Sequence, residues 1–133
     1  MSKFKYLLIF LALALASACT EQVDPVEVVT ERAQARWSAL IERDFIAART
    51  FYTPGFQETT PEFDFRVDME RRPVRWESAE VESAACEENT CEVRVMLGYR
   101  IPSAPGQISN LGNTRPITEQ WIKIDGEWWF APD

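Results

Sequence analysis

Apolar positions along this chain follow three successive patterns: an unbroken run near the N-terminus, a spacing of three and four residues, and then alternation. Val26, Val29, Ala33, Trp37, Leu40 and Ile41 recur at helical spacing, so a helix from Pro25 buries one stripe and leaves Glu31, Arg32, Arg36 and Glu42 in water. Asp24-Pro25-Val26-Glu27 sets its start, with an Asp cap, Pro at the first helical position and Glu at the third. Asp44 caps a second, short helix through Phe45, Ala48, Phe51 and Tyr52, which Pro54-Gly55 stops. From Val74 onward the period falls to two. Val74 to Ala85 reads as a strand, and Cys91, Val93, Val95, Leu97, Tyr99 and Ile101 alternate with Glu92, Arg94, Met96, Gly98 and Arg100. Ile117 to Ile124 is a third strand, and Asp125-Gly126 is a hairpin signal before Trp128-Trp129-Phe130. Together these strands predict an antiparallel meander. The connection from Pro102 to Pro116 is long for a hairpin, and it carries no motif that assigns it a role.

Between the helices and the strands, Thr60 to Arg72 gives two signals. Thr60-Pro61-Glu62 resembles a helix start, and acids at the front with Arg71-Arg72 at the back suit a helix dipole. Phe63, Phe65, Val67 and Met69, however, alternate with Asp64, Arg66, Asp68 and Glu70, which is the strand period. Local evidence leaves this element open. Arg71, Arg72 and Arg75 read as a solvated helix end.

The N-terminal run is an address. Lys3 and Lys5 precede the apolar stretch Tyr6 to Ala16, with small residues Ser17 and Ala18 before Cys19, the layout of a secretory signal peptide. The stretch is too short for a membrane span, which needs roughly 20 apolar residues. Ala16-Ser17-Ala18-Cys19 resembles the bacterial lipobox, which implies lipidation of Cys19; the Leu usual at the first lipobox position sits one place early at Leu15, so ordinary signal-peptidase cleavage near Ala18 is the rival reading. With Thr20 rather than Asp beside that cysteine, the resemblance implies the outer membrane, periplasmic side. The expected organisation is a signal peptide over 1–18, a lipidated tether over 19–24 and one domain over 25–133. A tether of about five residues reaches at most roughly 17 Å, so the domain rides close to the bilayer.

Charge and cysteine usage narrow the chemistry. The chain has 133 residues and no histidine, which removes Ser-His-Asp and Cys-His catalysis and His-ligated zinc. Once Lys3 and Lys5 leave with the leader, 12 basic groups face 21 acidic ones, and Lys123 is the last lysine. So acidic a domain lacks the cationic surface that phosphate backbones require, and nucleic acid is excluded as a partner. Cys86 and Cys91 remain as an even pair in an oxidising compartment, flanking the polar, turn-prone Glu87-Glu88-Asn89-Thr90. They read as a disulfide at a hairpin tip, because zinc would need further ligands and redox catalysis usually uses a tighter C-x-x-C spacing. No cofactor and no metal are expected.

The order of elements is α+β, N-terminal helices packed on a curved antiparallel sheet. The segments Arg32 to Ile41, Asp44-Phe45, Thr53-Pro54-Gly55-Phe56, Trp76 to Val81, the Cys86/Cys91 strand pair, Trp121-Ile122-Lys123 and Gly126 to Phe130 resemble proteobacterial members of the nuclear-transport-factor-2-like superfamily. The resemblance implies a cone, a bent sheet around a long N-terminal helix, with Thr60 to Arg72 as a further helix. It says little about activity, since that superfamily holds isomerases, dehydratases, transport factors and domains of no assigned role. Its ketosteroid-isomerase-like members use an Asp base inside the cone. Here the carboxylates to consider are Asp64, Asp68 and Glu119, each with an ordinary role as solvated face or ion-pair partner. Trp37, Trp76, Tyr99, Glu119 and Trp121 are the candidate pocket. The resulting expectation is a non-catalytic envelope lipoprotein that binds a partner protein or an apolar small ligand; the alternative is a small acid/base enzyme of isomerase or dehydratase type.

Overall fold

A computed structural model describes residues 22–102 and 111–133. Four helices precede four strands: α1 Pro25–Ile41, α2 Phe45–Arg49, α3 Pro54–Thr59, α4 Glu62–Arg71, β1 Arg75–Glu87, β2 Thr90–Ile101, β3 Leu111–Ile124 and β4 Glu127–Ala131. The strands form one open antiparallel sheet in the order β1-β2-β3-β4, and the helices pack against it, so the α+β architecture stands as expected. Cys19 and the segment expected to be a signal peptide lie outside the described residues, as does most of the β2–β3 connection.

The predicted start of α1 is the observed one. The Asp24 side chain accepts from the Val26 N–H, and Pro25 holds the first helical position. Asp44 likewise caps α2 by accepting from Ala47 N–H. That helix ends at Arg49 rather than running to Tyr52, because residues 51–53 leave it to run along β4. Phe130 N–H donates to Phe51 O at 2.8 Å and Thr53 N–H to Phe130 O at 3.1 Å, covering the outer edge of the last strand. Pro54-Gly55 does not only stop a helix: Thr53 caps α3 through Phe56 N–H, and Pro54 opens it.

The Thr60 to Arg72 segment is helical. Of its four alternating apolar residues, Phe65 and Met69, one turn apart, are buried, whereas Phe63 is 66% exposed. The intervening charges form i,i+4 pairs on the outside, Arg72–Asp68 at 2.9 Å and Arg66–Glu70 at 3.5 Å. β3 begins at Leu111, six residues ahead of the predicted Ile117. Pro116 sits in that added part, beyond the reach of β4, whose pairing starts at Gln120. A proline is tolerated there because the outer side of β3 has no partner strand to accept a donor from.

Two irregularities bend β1, one between Trp76 and Ser78 and one between Val81 and Ser83. The extra residues are Glu77 and Glu82, which pair with Arg100 at 2.7 Å and Arg94 at 2.9 Å on the outer face. The free edge of β1 is handled from the helix. Gln34 donates through Nε2 to Ala79 O at 3.0 Å and accepts from Val81 N–H at 3.3 Å, so one side-chain amide takes the place of a neighbouring strand. The core lies between α1 and the concave face: Val29, Ala33, Trp37 and Leu40 meet Cys91, Val93, Val95, Leu97 and Trp121.

Cys86 and Cys91 face each other across the first hairpin and are bonded, as expected. The ring closes over few residues, so it removes little unfolded-state entropy. Replacing both cysteines with alanine is expected to cost about 2 kcal/mol in urea denaturation, with the cooperative transition retained; loss of the folded baseline would show the staple to be essential.

Candidate functional site

α1 and β3 each bring one charge to the interior. Arg36 falls on the buried stripe of α1 with Val29, Ala33 and Leu40, and Glu119 alternates with Ile117 and Trp121 on the inward side of β3. They meet: Arg36 Nη1 donates to Glu119 Oε1 at 2.8 Å, with the two side chains only 5% and 4% exposed. Arg36 is therefore not in water, as its charge alone suggested. Glu119 also accepts from the indole N–H of Trp37 at 2.6 Å and of Trp121 at 3.1 Å. Arg36 Nη2 donates to the Tyr52 hydroxyl oxygen at 3.0 Å. Three donors on one carboxylate satisfy what burial would otherwise leave costly.

Arg36 is also enclosed by rings. Its guanidinium carbon lies 3.6 Å from the Phe130 centroid, 5.0 Å from Tyr52 and 5.1 Å from Trp37. One turn earlier Arg32, also expected in water, sits between Phe51 at 5.2 Å and Trp129 at 5.5 Å. Burial lowers the Arg32 pKa from its ordinary value, and Glu127 offsets part of that shift. Two arginines one turn apart thus run along Phe51, Tyr52, Trp129 and Phe130, and zip α1 to β4 by cation–π contact.

Around this floor the cone has a mouth of connected clefts. A first, about 420 Å³, lies between α4 and the chain end, walled by Arg36, Tyr52, Phe56, Phe65, Met69 and Phe130. A second, about 450 Å³, shares Arg36 and Phe130 with it and extends to Trp37, Ile117 and Arg115. A third, about 370 Å³, shares Arg115 and is walled by Val74, Trp76, Leu97, Tyr99 and Ile101.

The five residues named as a candidate pocket divide between floor and mouth. Trp37, Glu119 and Trp121 converge on one hydrogen-bond cluster, with Trp121 fully buried. Trp76 and Tyr99 are cross-strand partners at the mouth, where Trp76 also meets Trp37 edge to face at 5.8 Å. Asp64 is on the exposed side of α4, whereas Asp68, paired with Arg72, lines the first cleft with Arg36 and Tyr52. Sequence reasoning missed Arg36, Tyr52 and Arg115. For Arg36 the signal was present in its spacing, which points inward while its charge points outward. Among the described residues no group of three His, Cys, Asp or Glu is placed to hold a metal ion.

No protein-family model matches the chain, and no curated protein matches it. Solved structures do. Two SEC-C motif containing proteins superpose on it: one from Rhodopseudomonas palustris at 17% identity and TM-score 0.57, over 76% of this chain and 73% of that one; the other from Psychrobacter arcticus at 12% and 0.58, over 84% and 63%. A candidate dehydratase from the NTF2-like family of Streptomyces avermitilis superposes at 13% identity and TM-score 0.54, over 80% of this chain and 95% of that one. At these identities the likeness is one of fold, and it supports the cone.

Removing one member of a buried, hydrogen-bonded ion pair leaves the other charge without compensation, which costs about 3–5 kcal/mol. Arg36→Met and Glu119→Gln are each expected to destabilise by that order. The double variant is expected to lose distinctly less than their sum, because removing both charges leaves neither buried without its counter-ion, while the one amide oxygen of Glu119→Gln still accepts from one indole. A double-mutant cycle by urea denaturation measures this coupling, and simple additivity would show that the pair does not act as a unit.

Proposed function

We propose that this chain is a non-catalytic lipoprotein of the bacterial envelope, anchored through Cys19 to the periplasmic side of the outer membrane, whose cone binds a small apolar ligand at its mouth. The observation that carries the non-catalytic reading is the state of Glu119. A general base needs an oxygen within reach of a substrate proton. Both Glu119 oxygens are occupied by Arg36, Trp37 and Trp121 in a residue 4% exposed. Of the remaining carboxylates considered for catalysis, Asp68 lines the first cleft but is held there by Arg72 at 2.9 Å, and Asp64 is exposed. The ligand-binding reading is supported by the third cleft, whose volume and largely apolar wall match those of small-molecule sites. The leader Lys3 to Ala18 followed by Cys19 supports the anchor.

Two experiments test the two halves of this reading. Cys19→Ala is expected to move the protein from the outer-membrane fraction to the soluble periplasm; a variant that still sediments with outer membrane overturns the lipid anchor. Native mass spectrometry of the full-length protein, extracted gently in detergent, is expected to reveal a retained small-molecule adduct. A bare mass together with a specific cross-linked protein in intact envelopes would replace the ligand by a protein partner.

A further inference from the structure

We propose that the third cleft takes a small ligand with a flat or branched apolar body and one anionic head group, and that Arg115 is the residue that holds the head. This rests on the ligand-binding reading above and adds the ligand's chemistry.

The inward-facing positions of β3 run Arg115, Ile117, Glu119, Trp121 and Lys123. Three of them carry charge, and their situations differ. Glu119 is neutralised by Arg36. Lys123 lies at the hairpin-tip end, 5.9 Å from the Trp128 ring centroid. Arg115 stands at the mouth, exposed, opposite Leu97 on β2. It lines the third cleft with Trp76, Leu97, Tyr99 and Ile101, and the second cleft with Trp37 and Ile117.

Among the described residues Arg115 makes no ion pair. The carboxylates lining the second cleft beside it are Glu119, committed to Arg36, and Asp133, which forms no ion pair with it. Residues 103–110, which precede β3 in sequence, contain no Asp or Glu. The other arginines of β1 and β2 that pair, Arg94 and Arg100, do so with Glu82 and Glu77 on the outer face. Arg115 is thus the one cation that lines the third cleft, and it stands there beside an apolar wall without an ion pair among the described residues, in a chain of formal net charge −7. Arginine pairs with oxyanions that present two oxygens side by side, planar carboxylate and tetrahedral sulfonate alike, through its planar fork of donors. Trp76, Tyr99, Leu97 and Ile101 offer the apolar contact that a neutral or cationic ligand would share, so the charge of Arg115 is what selects.

The test is calorimetric titration of the full-length protein in detergent with naphthalene-2-sulfonate and its neutral twin naphthalene-2-sulfonamide, each against a matched micelle blank. The sulfonate is expected to bind roughly ten-fold more tightly than the sulfonamide, the order of a charge-assisted hydrogen bond. Arg115→Gln is expected to erase that preference and Arg115→Lys to keep part of it, while Ile101→Ser weakens both probes alike. Both positions are exposed, and Ile101 is 51% so, and an unchanged urea midpoint confirms the fold. Equal binding of the two probes, a preference that survives Arg115→Gln, binding indifferent to Ile101→Ser, or no binding of either probe overturns the proposal. If the probes fail while the native protein still carries an adduct, the ligand-binding reading stands and only the assignment of Arg115 falls.

Discussion

The fold depends on how one helix is seated in one sheet, and a single buried contact governs that seating. Arg36 on α1 and Glu119 on β3 are 83 residues apart in sequence and 2.8 Å apart in space. Desolvation of two ions offsets most of their attraction, so the pair adds little net stability over an apolar pair of equal volume. Its effect is on specificity. A rotation of α1 that carried Arg36 off the buried stripe would leave Glu119 in the interior without its cation. The indoles of Trp37 and Trp121 add directional donors to the same carboxylate, so the penalty for misdocking is shared by four side chains from two elements. Arrangements of this helix that separate the two charges are thereby penalised electrostatically as well as sterically.

Much of the architecture is legible because spacing and residue type agree. Asp24-Pro25 for the start of α1, Asp44 for α2, the alternation from Cys91 to Ile101 and the Asp125-Gly126 turn all point one way at once, and each of these elements stands where its signals put it. Local signals mislead where the two disagree, and at α4 the helix is implied by the family resemblance rather than by spacing. In α4 the alternation of Phe63, Phe65, Val67 and Met69 is a strand pattern, yet tertiary packing takes up only Phe65 and Met69 and leaves Phe63 in solvent. Pro54-Gly55 reads as punctuation, although proline at a first helical position opens a helix as well as it closes the preceding one. The early start of β3 is hidden by Pro116, whose placement on an unpaired edge only the strand order reveals.

The same conflict conceals the site. Charge assigns Arg32 and Arg36 to water, yet Arg36 lies on the helical stripe defined by Val29, Ala33 and Leu40. Glu119 lies on the alternating stripe of β3. A cation on one buried stripe and an anion on another can both be accommodated only if they meet, so the pair is derivable from spacing. The rings that enclose Arg36 and Arg32 are not: Phe51 and Tyr52 read as one face of a helix, and only the run of residues 51–53 beside β4 brings them to the guanidinium groups. Gln34 is hidden for a similar reason, since nothing in a helical pattern announces that its amide will complete the edge of a strand.

The ends of the cone are chemically distinct, and their separation bears on how a tethered domain would work. Gln22 to Pro25, where the chain enters α1, lines a cleft with Glu88, Lys123, Gly126 and Trp128. The tips of both hairpins and the Cys86–Cys91 bond are therefore at that end. Trp76 and Tyr99 pair at the opposite end of β1 and β2, about eight ladder positions, or roughly 26 Å, from the disulfide. With Cys19 as the proposed anchor, a tether of about five residues holds the hairpin tips toward the bilayer and turns the mouth away from it. The polar, acidic tip end then spaces the domain from the membrane surface, and the apolar cleft beside Arg115 opens toward the aqueous side. A ligand reaching it would come from solution rather than from the leaflet, which matches a cleft that needs both an apolar wall and one charge.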